Sequence, residues 1–156
     1  MRRYMVAGNW KLNMGPSAGA ELAAGIQGEL AGRTLKGDVL VCPPYVTIPS
    51  VSAFAGGEPV LLGAQDCSDQ DQGAYTGQVS AGLLKEAGCS HVIVAHSERR
   101  QYQREDGRTA TTILRVSDLE MIEPRWWRRP WQAALGLTHH ARRLAHELVA
   151  PVDQLY

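Results

Sequence analysis

Val92-Ile93-Val94-Ala95-His96-Ser97-Glu98-Arg99-Arg100 decides how this chain is read. A short, β-branched apolar run carries a histidine and a carboxylate to its C-terminal end. An earlier stretch, Tyr4-Met5-Val6-Ala7-Gly8-Asn9-Trp10-Lys11-Leu12-Asn13, has the same layout and ends in a glycine, an amide and a lysine. Apolar runs without polar alternation are how parallel strands buried on both faces read. Reactive side chains gathered at strand ends are how active sites of parallel α/β folds are built.

Working outward, the runs at 39–42 and 60–64 have the same character, which gives four expected strands with 4–7 and 92–95. Between the first two, Leu22, Ala23, Ile26 and Leu30 recur at helical spacing, with Ser17 as the expected N-cap and Gly32 as the stop. Before the last strand, Val79, Leu83, Leu84 and Ala87 repeat that pattern and Gly88 closes it. Alternating strands and helices imply a parallel sheet with helical crossovers, in a barrel or a doubly wound sheet. The strand exits at residues 10, 42, 65 and 96 are spaced close to the roughly thirty residues of one unit of an eight-unit barrel. No Gly-x-Gly-x-x-Gly follows the first strand, so the dinucleotide-binding alternative loses its main support.

The segments Gly8-Asn9-Trp10-Lys11 and His96-Ser97-Glu98-Arg99-Arg100 closely resemble the strand-end signatures of the triosephosphate isomerase family, over about residues 3 to 105. The resemblance implies an α/β fold of the (β/α)8 TIM-barrel family. With 156 residues against about 250 for a complete barrel, the expectation is the first four βα units (residues 1–105) and a non-matching tail (106–156), partly disordered with one helix at about 135–149. It also implies catalytic roles for His96, Lys11 and Glu98, substrate contacts from Asn9 and Lys11, and Glu98 supporting Lys11 more than reacting. His96 would be the electrophile that moves protons between carbonyl oxygens; this family is the standard illustration of a neutral imidazole working beside a glutamate base. The substrate would be a small phosphorylated triose, glyceraldehyde 3-phosphate or dihydroxyacetone phosphate, in glycolysis and gluconeogenesis, with no cofactor and no metal. Residues 65–80 resemble the family's interlocking loop, so Tyr75, Thr76 and Gly77 would meet a second copy in a homodimer. Gln78 stands where the family usually has glutamate, which removes an anion that could meet Arg99 across that interface.

The same comparison marks what is expected to be missing. The family's proton-abstracting glutamate sits in Glu-Pro-x-Trp, two strands after the histidine. Here Glu123-Pro124-Arg125-Trp126 follows His96 too soon, because two more units take about sixty residues. The bulky, charged Trp127-Arg128-Arg129-Pro130 does not read as a closing lid. Glu123 is therefore taken as coincidence. With the late phosphate-binding loops also absent, the chain alone is expected to have little or no activity.

Composition sets the remaining bounds. The formal net charge is zero, which gives no whole-chain attraction to nucleic acid or to an anionic membrane. Cys42, Cys67 and Cys89 are widely spaced without a CxxC pair, as buried thiols of a reduced compartment are. The start of the chain has no signal-peptide core and no run approaches a membrane span, so a cytoplasmic protein is expected. Eight of the thirteen arginines lie beyond residue 100, and three of the four tryptophans fall within residues 126–131. The alternatives are a nucleic-acid or membrane-surface module in that tail, or an inert truncated product. We hypothesise that the abrupt change of composition reflects an out-of-frame or mis-joined segment. The expected outcome on sequencing the coding DNA is that the remaining strand signatures emerge in another frame downstream of codon 105; their absence from all frames would refute it.

Overall fold

The computed structural model describes residues 4–103 and 111–117. Strands β1 (Tyr4–Asn9), β2 (Gly37–Cys42), β3 (Val60–Ala64) and β4 (His91–Val94) lie side by side in chain order, each parallel to the one before. Helices α1 (Pro16–Leu30), α2 (Ile48–Val51, after a 3-10 turn at Tyr45–Thr47) and α3 (Ala81–Glu86) fill the crossovers, and α4 (Ser97–Tyr102) follows β4. The architecture is an incomplete α/β barrel.

β2, β3 and β4 bury side chains on both sheet faces, which is why they read as continuous apolar runs. On the helix side, Val41, Leu62, Ala64, Val92 and Val94 pack with Ala23, Ile48, Val51 and Leu84. On the opposite face Leu40, Cys42 and Ile93 are buried, with Met5, Ala7, Leu61 and Ile113 partly buried around them. β1 is the exception: Tyr4 and Val6 are exposed while Met5 and Ala7 are half-buried.

Local chemistry sets the helix ends. Pro16 opens α1 after an extended Gly15 that supplies no side-chain cap, because its fixed φ suits the first helical position. Ser17 therefore sits inside the first turn and is not the cap that the sequence suggested. Ser80 does cap α3, its Oγ accepting from the Leu83 backbone N–H at 3.4 Å.

A fifth strand, β5 (Thr112–Arg115), was not among the expected elements. It runs antiparallel to β4, pairing Ile113 with Ile93 and Arg115 with His91. Val116, just beyond it, is buried in the larger core and donates its backbone N–H to Ser90 O at 2.9 Å. The free edge of β4 thus takes up residues whose own pattern announces no strand. Glu123, the segment 124–131 and the helix expected at 135–149 lie outside the described residues.

Two glycines illustrate opposite packing environments. A Cβ on Gly63 would meet Cys42 Sγ at 2.8 Å and Leu40 Cδ1 at 3.1 Å, whereas one on Gly25, inside α1, would meet nothing within 4 Å. Gly63→Ala should lower the urea midpoint by an amount equivalent to about 1–3 kcal/mol, as overpacking does. Gly25→Ala should raise it by about 0.5–1 kcal/mol through helix propensity. Equal effects from the two substitutions would contradict this packing.

Candidate functional site

Because β1 to β4 are parallel, all four exits open on one rim. Asn9 ends β1, and its side-chain Oδ1 accepts from the Lys11 backbone N–H at 2.9 Å. Lys11 adopts φ +52°, a left-handed conformation that non-glycine residues rarely take. From the end of β3, Gln65 Nε2 donates to two backbone carbonyls, Lys11 O and Cys42 O, each at 2.9 Å. Cys42 O also accepts from Trp10 N at 3.1 Å. The exits of β1, β2 and β3 are thereby tied together through one side-chain amide.

The exit of β4 is built in a similar way. Ala95 turns at φ +53°, and its carbonyl accepts from Thr111 Oγ1 at 3.3 Å and from the Arg100 guanidinium. His96 then starts α4 as its N-cap, with Nδ1 accepting from the Glu98 backbone N–H at 3.3 Å. Glu98 Oε2 lies 3.6 Å from the same Nδ1, so two neighbours make opposite demands, one for a lone pair and one for a proton. The backbone N–H is closer and aligned, while 3.6 Å is too long for a hydrogen bond. We therefore place the lone pair on Nδ1 and the proton on Nε2, which leaves Nε2–H as a donor.

Glu98 joins the two exits. Its Oε1 is 2.9 Å from Lys11 Nζ. The Lys11 hydrogen bond, aided by the charge of Lys11 and by His96 and opposed by desolvation, holds the Glu98 carboxyl below the usual glutamate range. Beside it, Arg99 pairs with Asp66 Oδ2 at 2.8 Å, and the Asp66 carbonyl accepts from Tyr45 OH. Arg99 thus has an anionic partner within its own chain. Burial, then the charge of Asp66, pushes the Tyr45 hydroxyl up.

Other expected residues lie apart from this group. Tyr75, Thr76 and Gly77 project on an exposed loop, with Tyr75 N bonded to Gly73 O and Gln78 N to Tyr75 O, both at 3.0 Å, and Gly77 at φ +87°. Burial raises the Cys42 and Cys67 thiols to about 12 and Cys89 to about 11, so each stays a packing group and not a nucleophile. Among the described residues, no three His, Cys, Asp or Glu side chains gather as a metal set, and no helix is long and apolar enough to cross a membrane. A cavity of about 450 Å³ opens among Asp38, Leu61, His91 and Arg115, at the opposite ends of the strands. On this rim the Lys11 and Glu98 side chains are 36% and 44% exposed, while His96 is half-buried at 18%.

Sequence reasoning gave Gln65 no role at the rim, having read it only as a strand exit and the start of a loop. Its signal was faint: one amide directly after an apolar strand.

A lowered carboxyl contributes stability that is present above the ordinary glutamate range and is lost as pH falls through the depressed value. Lys11→Met should remove that increment, which is within about 1 kcal/mol for so exposed a pair. Urea unfolding of the two proteins should then differ at neutral pH and converge in acid. A difference that persists unchanged in acid would dissociate the effect from Glu98.

The chain can now be compared with known proteins. The family model for triosephosphate isomerase matches residues 4–122, running past the motifs on which the resemblance rested. Triosephosphate isomerase of Herpetosiphon aurantiacus is 47% identical over 102 residues, 65% of this chain and 40% of the relative. That of Chlorobium phaeobacteroides is 42% identical over 115 residues, 74% of this chain and 46% of the relative. The crystal structure of triosephosphate isomerase from Bartonella henselae superposes with a TM-score of 0.57 at 43% identity, covering 67% of this chain and 42% of that one. The chain spans less than half the length of these relatives. With a family match over most of its residues and a related solved structure at 43% identity, the chain belongs to the triosephosphate isomerase family.

Proposed function

We propose that this chain carries the substrate-polarising part of an aldose-ketose isomerase site for phosphorylated trioses, interconverting glyceraldehyde 3-phosphate and dihydroxyacetone phosphate. The observation that carries the reading is the convergence of Lys11, Glu98 and His96 on one rim, from two strands far apart in sequence. In this reading the Lys11 ammonium attracts the substrate's phosphate and the oxyanion of the enediolate. Asn9 holds the Lys11 backbone through its oxygen and contacts substrate with the remainder of its amide. His96 donates Nε2–H to the carbonyl oxygen and recovers a proton from the neighbouring hydroxyl. The charge that develops on oxygen is where such donors act most strongly.

The reaction also needs a carboxylate to take the carbon-bound proton. Among the described residues, the carboxylate paired with His96 is Glu98, which is already engaged by Lys11. General-base catalysis is worth about a hundred- to ten-thousand-fold, and the open rim screens the charges that act alongside it. We therefore propose that the chain alone binds triose phosphate weakly and turns it over undetectably. We further propose a cytoplasmic homodimer through residues 65–80. Exposed Tyr75, together with Leu12, Met14 and Val46 on the other rim loops, gives that contact an apolar surface.

Titration of the full chain with dihydroxyacetone phosphate, followed by NMR, is expected to move the His96 ring and Lys11 signals without forming glyceraldehyde 3-phosphate. Lys11→Met and His96→Ala should each weaken that response. Unchanged responses in both variants would remove the site, and measurable turnover by the unsubstituted chain would show that the missing base is supplied after all.

A further inference from the structure

We infer that Gln65 is the positioning residue for Lys11: its side-chain amide clamps residue 11 in the left-handed backbone from which the ammonium reaches across the rim to Glu98. This rests on the reading of Lys11 as the substrate-binding cation.

Both polar backbone groups of Lys11 are held by side chains. Asn9 Oδ1 takes its N–H and Gln65 Nε2 takes its carbonyl, each at 2.9 Å. A non-glycine residue at φ +52° persists only where its surroundings over-determine it, and these two bonds supply that constraint from either side. The residue type at position 65 follows. Both hydrogens of one Nε2 are committed, to Lys11 O and to Cys42 O. Glutamate would present an acceptor-only carboxylate to two carbonyl oxygens. Asparagine is one methylene shorter, and leucine has no donor. Gln65 is itself held by β3, which pairs with β2 and β4 inside the sheet. The amide therefore transmits a fixed sheet position to a loop residue, and the Lys11 Nζ to Glu98 contact of 2.9 Å is the result.

The test uses the full chain, labelled for backbone amides and glutamate carboxyls. Gln65→Ala is expected to shift the amide signals of residues 10–13 and to move the Glu98 titration upward to the ordinary glutamate range, while the sheet signals of β2 and β3 stay in place. Gln65→Glu keeps the side-chain length and should give the same two changes at neutral pH. A merely structural role would lower the melting temperature and leave the Glu98 titration where it is. A folded Gln65→Glu chain that keeps its Lys11 signals and its low Glu98 titration would overturn the inference. Where Gln65→Ala does not fold, Gln65→Glu decides. Failure of both to fold would also overturn it, since Gln65 would then support the sheet and not the lysine. No substrate enters these measurements, so they stand or fall apart from the triose-phosphate titration.

Discussion

Parallel pairing in chain order is the constraint from which the arrangement follows. Each crossover must return the chain to the same end of the sheet, so Asn9, Cys42, Gln65 and Ala95 come to one rim although their sequence positions are far apart. That rim leaves backbone groups beyond the ladder, and unpaired peptide groups are costly once water is excluded from them. Side chains absorb them: Gln65 takes two carbonyls, Asn9 takes an N–H, and Thr111 and Arg100 share the Ala95 carbonyl. The polar residues of the motif thus complete the backbone's hydrogen bonding at the same place where they gather charge.

β2, β3 and β4 were legible because burial on both faces removes the need for alternation, whereas β1 showed as an apolar run although Tyr4 and Val6 on one of its faces are exposed. Leu40 and Cys42 face one core while Val41 faces the other, and the sequence shows all three as one apolar run. β5 was not legible for a related reason. Ile113 points to the smaller core and Leu114 to the larger, so four residues offer no period, and the partner that makes them a strand lies on β4. α4 hid differently. Ser97–Tyr102 buries none of its residues, so no apolar stripe marks it, and a histidine starts it where serine or aspartate is the usual signal.

At the site, residue types could be read but backbone geometry could not. Lysine and histidine at strand exits suggest cationic and hydrogen-bonding chemistry in any sequence. Left-handed turns are usually signalled by glycine, however, and Lys11 and Ala95 make theirs without one. What replaces the missing signal is a set of long-range hydrogen bonds, such as Gln65 to Lys11 across 54 positions, and no local window contains both ends. Arg99 shows the same limit, since only the folded chain brings Asp66 within 2.8 Å of it.

Enclosure separates a binding rim from a catalyst. Two unit charges 4 Å apart interact by about 1 kcal/mol in bulk water and about 4 kcal/mol at the effective dielectric of a protein surface. Lys11 and Glu98 are 36% and 44% exposed, which places them toward the weaker limit. In a closed barrel the β4 edge would pair with a further parallel strand, and side chains from that side would help wall off the rim. Here β5 occupies that edge in the opposite direction, satisfying its peptide groups with a short strand ending in Arg115, a blunt termination by length and by charge. The edge is thus stabilised without the rim being enclosed. In the proposed reading, residue identity alone would let Lys11 and His96 attract and orient a phosphorylated carbonyl compound, while the energy that would distinguish its transition state from its ground state depends on walls that the described strands do not build.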